Sequence, residues 1–265
     1  MALPLGIGAV TVYRQPEEAS GARLYALVTA VDGGASFDAC VLDERGTVYV
    51  DLRGYRTFST AFKINVACHR PPQYTAFDAN KLGFDYPTYV HIAPDIEYLE
   101  RAYDDAKYGS FSKRPFITPV VPTIRDDTLA PPGKHVVNLF GGHAPYELKN
   151  GSWDEATRQQ LVDAALDAIE AFAPGWRDDI IAMQVLLPPD LERLVGLPQG
   201  HIFHGELAAD QVFFTRPAAH YSDYRTPIRG LYVCGSSMHP GGGVSGIPGH
   251  NAAREILKDR GKRLN

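Results

Sequence analysis

Apolar and polar positions repeat along this chain at two different periods, and the change of period divides it into parts. Up to about residue 58 the period is two. Ala9–Arg14 alternates in character, and RLYALVTAV (23–31) is a strand-like apolar run. Asp32-Gly33-Gly34 signals a turn. Phe37–Leu42 and Thr47–Leu52 read as two strands joined by Asp43-Glu44-Arg45-Gly46, a hairpin with glycine at its end.

From about Ser59 the pattern changes. KINVA (63–67) is a strand, and Pro71 to Pro87 is a connection rich in proline and tyrosine. Asp95 is placed to cap a helix whose apolar face is Ile96, Leu99, Tyr103 and Ala106. FITPVV (116–121) is a strand that its prolines hold to a sheet edge, and HVVNLF (135–140) is another strand. The best helical pattern is Trp153–Phe172. Ser152 and Glu155 form its capping box, and Leu161, Val162, Ala165, Leu166, Ile169 and Phe172 form one apolar stripe. Pro174-Gly175 stops it. Ile180–Leu187 is a strand, followed by a short helix from Pro188-Pro189-Asp190 through Leu194. The chain closes on Gly230–Gly235 as a short strand, a glycine-dense loop to Gly249, and a helix starting near Gly249-His250-Asn251.

The elements together predict an α+β fold. Its parts are a β-rich segment over 1–58, a mixed-sheet region over 59–215 and a strand–loop–helix over 216–265. Composition narrows the function classes. The formal net charge is −5 with acids and bases interspersed, so no nucleic-acid partner is expected. The three cysteines, Cys40, Cys68 and Cys234, are far apart and form no C-x-x-C, so neither a disulfide framework nor a zinc site is expected. A reducing, cytoplasmic setting fits them. No apolar run is long enough for a membrane span, and the amino terminus lacks the basic and apolar regions of a signal peptide.

The chemistry concentrates in the last element. Gly241-Gly242-Gly243 can adopt backbone angles closed to other residues and let a flat ligand lie against the main chain. A helix starting just beyond directs its positive end at an electron-rich ligand. At the other end of the chain, Gly6-Ile7-Gly8 runs into Ala9-Val10-Thr11, without the third glycine of a G-x-G-x-x-G turn.

From about Lys63 to Lys258 the chain resembles the C-terminal part of phytoene-desaturase-like FAD oxidoreductases, and among them the pyridine nucleotide-disulfide oxidoreductase domain-containing protein 2 group. The resemblance rests on KINVA (63–67), HIAPDIEYLERAYDDAKYG (91–109), RPF (114–116), LAPPGKHV (129–136), PPDLERLVGLPQGHIFHGEL (188–207) and YRTPIRGLYVCGSSMHPGGGVSGIPGHNAAREIL (224–257), in family order. It implies a substrate domain over 59–215 and a return to a Rossmann-like FAD domain over 216–265. It also implies hydride transfer between FAD and a small apolar substrate, with Gly235, Gly241, Gly242, Gly243, Val244, Ser245 and Gly246 as flavin contacts. His204 and His239 would stand near the reacting face. Separately, SFDACVLDERGTVYVDLRGYRT (36–57) resembles the C-terminal strands of hot-dog dehydratase domains of polyketide synthases.

Each candidate has a plainer alternative. His204 reads equally as a satisfied, partly buried histidine. His239 is either a proton carrier, as a histidine can be, or a loop cap. His201 and His204, placed on a strand, face opposite sides, so no metal is expected. Cys234 is expected to be a small buried hydrophobe, and Arg216 and Arg225 to form surface ion pairs or hold a phosphate. The leading reading is an FAD-dependent oxidoreductase. One alternative is a non-catalytic relative acting as a binding module, or completed by a partner chain. Another is a hot-dog acyl thioester dehydratase. A homo-oligomer would cover a sheet edge left open.

Overall fold

The structure, a computed structural model, describes residues 9–14, 22–31, 36–56, 61–207, 212–218 and 221–261. The expected turn at Asp32-Gly33-Gly34 and the Gly6-Ile7-Gly8 run lie outside them. The chain divides into two compact units, one drawn from residues 1–58 with 197–265 and the other from 59–196. The fold class is α+β, and every strand pairing in the two sheets is antiparallel.

In the first unit, β1 (Ala9–Val12), β2 (Leu24–Val31), β3 (Ser36–Asp43) and β4 (Val48–Arg56) form a sheet in the order β1-β4-β3-β2. The β3–β4 hairpin closes as its sequence demands. Asp43 Oδ1 accepts from the backbone N–H of Arg45 and of Thr47, both at 2.9 Å, and Gly46 takes the left-handed angle (φ +80°).

The second unit is built on β5 (Ala61–Cys68), β6 (Phe116–Val120), β7 (His135–Gly142) and β8 (Ile180–Leu186), in the order β6-β7-β5-β8. Alternate residues of β5, namely Phe62, Ile64, Val66 and Cys68, enter the core with Val137 and Leu139 of β7. α1 (Ala79–Leu82) is a single turn. α2 (Ile96–Lys107) begins at Asp95, whose Oδ1 accepts from Tyr98 N–H at 2.7 Å. Its buried residues are Ala102 and Ala106, however, while Ile96 is 84% exposed. Small alanines let the helix backbone approach its neighbours, and the bulkier positions stay outside. β6 takes the edge, as Pro119 requires. Its outer side is covered by the 88–92 segment, with Val90 N–H bonded to Pro119 O at 3.0 Å and Ile92 N–H to Ile117 O at 2.8 Å.

α3 (Glu155–Glu170) buries Leu161, Val162, Ala165, Leu166 and Ile169, five of the six residues of the expected stripe. Its cap is Asp154 rather than Ser152. Asp154 Oδ1 accepts from Thr157 N–H at 2.8 Å, so the carboxylate two residues later wins the position. α4 (Pro188–Val195) follows β8 and is capped from inside by Asp190, which accepts from Leu187 N–H and pairs with Arg158 and Arg193. α5 (Ile247–Asp259) ends the described chain. Among the described residues no helix is long and apolar enough to cross a membrane.

Candidate functional site

The glycine-dense loop that leads into α5 belongs to the first unit. Met238 N–H bonds to Gly235 O at 3.0 Å, and Gly241 N–H to Met238 O, so two overlapping turns bring the chain to the glycines. Gly241 (φ +102°), Gly243 (φ +125°), Val244 (φ +54°) and Gly246 (φ +71°) then lie in left-handed or related backbone regions. Gly246 is the N-cap of α5 and Ser245 Oγ accepts from Ile247 N–H at 3.3 Å. A glycine N-cap offers no side chain and Pro248 carries no N–H, so within the first helical turn it is the Gly249 N–H that the loop leaves to another acceptor.

The glycines sort into two kinds. Gly241 and Gly242 are inner. A Cβ on Gly241 would stand 3.1 Å from Leu207 Cδ2, and one on Gly242 only 2.1 Å from Phe203 Cδ1. Their bareness lets the 203–207 segment pack on the loop. Gly235, Gly243, Gly246 and Gly249 are outer, with no heavy atom within 4 Å of a Cβ built on them. They leave a flat main-chain surface beside which Val244 is fully exposed.

Two residues hold this surface. Arg216 is completely buried, and its guanidinium donates to Ser236 O at 2.8 Å, to Glu206 O at 3.3 Å and to Phe203 O. It ties the 203–206 segment to the start of the loop. The expected surface ion pair or phosphate role is corrected accordingly, because a fork of N–H donors can satisfy several converging carbonyls at once. Tyr224, also buried, donates its hydroxyl to His239 O at 2.7 Å and accepts from Asn251 Nδ2 at 2.7 Å, which links the loop to α5. Met238, Ala252 and Val233 pack around it.

The candidate histidines flank the loop differently. His204 is exposed and sits at φ +58° in a turn closed by its own N–H on His201 O at 2.9 Å. The 201–204 stretch is a turn, not a strand, so the expected opposite-facing strand geometry is replaced. His201 is buried, and its Nδ1 accepts from Phe203 N–H at 3.2 Å. His239 is half-buried against Phe213, ring centroids 5.3 Å apart. Gln199, His204, Phe213, Tyr224 and Val244 are the non-glycine residues at positive φ among those described, and all belong to 197–265. Such angles persist where surrounding contacts hold them, and they gather at functional sites.

Two further expectations change. Residues 230–235 make one isolated bridge, Arg225 with Tyr232, instead of a strand. Cys234 is consequently exposed rather than buried. Arg225 does form the expected surface pairs, with Asp223, Glu255 and Asp259. Sequence reading did not single out Tyr224 or Phe203 as supports of the loop. It also passed over one spacing: Gly241-x-Gly243-x-x-Gly246 stands directly before a helix. That spacing is a dinucleotide fingerprint when a strand leads into it, and here the lead-in is a pair of turns.

The chain is similar to proteins named as an oxidoreductase domain protein and as a desaturase. No protein-family model matches the chain. The pyridine nucleotide-disulfide oxidoreductase domain-containing protein 2 of Mus musculus is 45% identical over 210 residues, 77% of this chain and 36% of that protein. The protein of the same name in Rattus norvegicus is likewise 45% identical over 210 residues, again 77% of this chain and 36% of that protein. A 4,4'-diapophytoene desaturase (4,4'-diaponeurosporene-forming) of Staphylococcus aureus is 33% identical over 143 residues, 51% of this chain and 27% of that protein. The chain is thus related to the pyridine nucleotide-disulfide oxidoreductase domain-containing protein 2 group and, more distantly, to desaturases. It spans about a third of the length of the group's curated mammalian members.

Proposed function

We propose that this chain carries the isoalloxazine-facing loop and the substrate domain of an FAD-dependent oxidoreductase that acts on a small apolar substrate. The observation that carries the reading is the outer row of bare glycines, Gly235, Gly243 and Gly246, on a loop pinned from behind by Arg216 and Tyr224. The residues present suit the ring end of a flavin, since a planar ligand can approach main chain that no Cβ guards. Bound flavin would supply hydride acceptance at N5.

The protein's own part is orientation. Gly241 and Gly242 seat the loop on the 203–207 segment, Val244 and Ser245 border the open surface, and α5 directs its positive end toward it. His204 and His239, at the two flanks, are the groups proposed to hold or pass a proton. Partial hydrophobic exclusion of water by Leu207 and Phe213 would strengthen these interactions.

The test is flavin retention. The purified chain is incubated with FAD, desalted, and its visible absorbance compared with that of Gly235→Val. Gly235 has an ordinary φ and open space around it, so valine is accepted by the fold but occupies the surface. The wild type is expected to keep a flavin band and the variant to lose it at least tenfold, with unchanged circular dichroism. A variant that retains flavin as well as the wild type sinks the loop assignment. A wild type that retains none without another chain supports the second reading, a module completed by a partner. The observation favouring that reading is that no strand leads into the glycine spacing at 241–246.

A further inference from the structure

The proline- and tyrosine-rich connection of the second unit has no part in the loop described above, yet it builds a cavity. Between it, the 90–94 segment and the end of α3 lies a cleft of about 290 Å³. Its walls include Tyr74, Phe77, Leu82, Val90 and Phe172, with His91 as the imidazole among them, and no carboxylate, ammonium or guanidinium lines it. Pockets of this kind, apolar walls with very few polar groups, are the usual form of small-molecule sites, and this volume lies at their lower end of roughly 300 Å³.

Several features separate the cleft from an ordinary packing fault. Its back wall is fixed. Val90 and Ile92 are bonded to the edge of β6, and His91 Nδ1 meets Thr118 Oγ1 at 2.8 Å, which leaves Nε2 as the remaining polar atom of the ring. One side is fixed as well, because Thr75 N–H bonds to Phe172 O at 2.9 Å and Tyr86 donates its hydroxyl to Pro72 O at 2.8 Å. The cover, in contrast, is thin. α1 is one turn with no buried residue, capped by Asp78, and Leu82 and Phe84 on it and beside it are 52% and 42% exposed. A segment with so little buried apolar surface opens at low cost. Phe172 completes the pattern. It is the residue of the α3 stripe that does not join the core, being 37% exposed, and it lines the cleft instead.

We infer that this cleft is a binding site for a small, uncharged, largely apolar molecule that carries one hydrogen-bonding group for His91, and that α1 closes over it. At about 30 Å³ per heavy atom, the volume water has in the liquid, the cleft takes roughly ten non-hydrogen atoms. Such a size suits a fused bicyclic compound. The charge-free walls exclude ionised ligands, whose desolvation nothing there would offset. The site lies wholly within residues 74–172, so it stands independently of the flavin reading.

The test uses the full chain and two probes, 2-naphthol and naphthalene, followed by titration calorimetry. Two variants fill the cleft from different walls, Ala93→Phe and Ala76→Phe, and His91→Leu removes the polar partner. Circular dichroism and melting establish that each variant is folded. One-to-one saturable binding of 2-naphthol is expected, weakened at least tenfold by either filling variant. His91→Leu is expected to weaken 2-naphthol several-fold while leaving naphthalene within twofold. No saturable binding to the wild type, or binding that both folded filling variants leave intact, overturns the site. An equal effect of His91→Leu on the two probes overturns the role of the imidazole.

Discussion

At the residue scale, glycines of one loop do opposite jobs, and only their neighbours tell them apart. Gly242 faces the ring of Phe203 at a distance that no side chain could enter, while Gly235 faces open space. Gly242→Val therefore acts on packing first. It is expected to destabilise the unit by about 1–3 kcal/mol, the usual cost of forcing extra carbon into a filled space. Chemical denaturation checks this, and a variant as stable as the wild type would show that Phe203 swings away freely. Gly235→Val in the same assay is expected to be near neutral, so the pair separates a packing effect from a ligand effect. The family resemblance offered both glycines as equal flavin contacts, since a glycine's role depends on what lies across from it. Arg216 is the same lesson in reverse: an arginine is expected at the surface, and three carbonyls converging from 203, 206 and 236 make it an interior staple.

At the scale of elements, capping and periodicity place most helices well. Asp95 and the Pro188-Pro189-Asp190 start stand where the pattern puts them, and five residues of the α3 stripe enter the core. The buried face of α2 differs from the pattern, because bulky apolar residues at helical spacing compete with alanines that permit closer approach. α5 carries a pH-sensitive tie. Hydrogen bonds from Arg225 and then Tyr232 hold the Asp259 carboxyl down at about 2, below the ordinary aspartate value. A carboxylate depressed in the folded state contributes stability that is present above its unfolded pKa, about 3.9, and is lost as pH falls through the folded value. The melting temperature is expected to drop between about pH 4 and pH 2, and Asp259→Asn to flatten that part of the profile. Added salt should shrink the difference, since the groups are solvent-exposed. An identical acid profile for the variant would remove Asp259 from the account.

At the scale of the whole molecule, residues 59–196 carry a core of their own. The large cluster from Phe62 to Leu187 belongs wholly to residues 59–196. A fragment of residues 59–196 is therefore expected to fold alone and to melt cooperatively, since domains with their own core do so. Broad, non-cooperative melting by circular dichroism would show that it depends on the rest of the chain. The sequence by itself determined the α+β class, the strands β3 to β8 to within a few residues, the position of the glycine loop and the similarity to the pyridine nucleotide-disulfide oxidoreductase domain-containing protein 2 group. These depend on local periodicity, turn chemistry and motif order, all of which are written along the chain. Only the tertiary structure decided which glycines are packed and which are open, that 230–235 makes a bridge rather than a strand, that Arg216 is interior, and that the 71–94 connection encloses a cleft. Those properties arise from which distant segments meet, and long-range contact is set by the packing of the whole fold rather than by any local pattern.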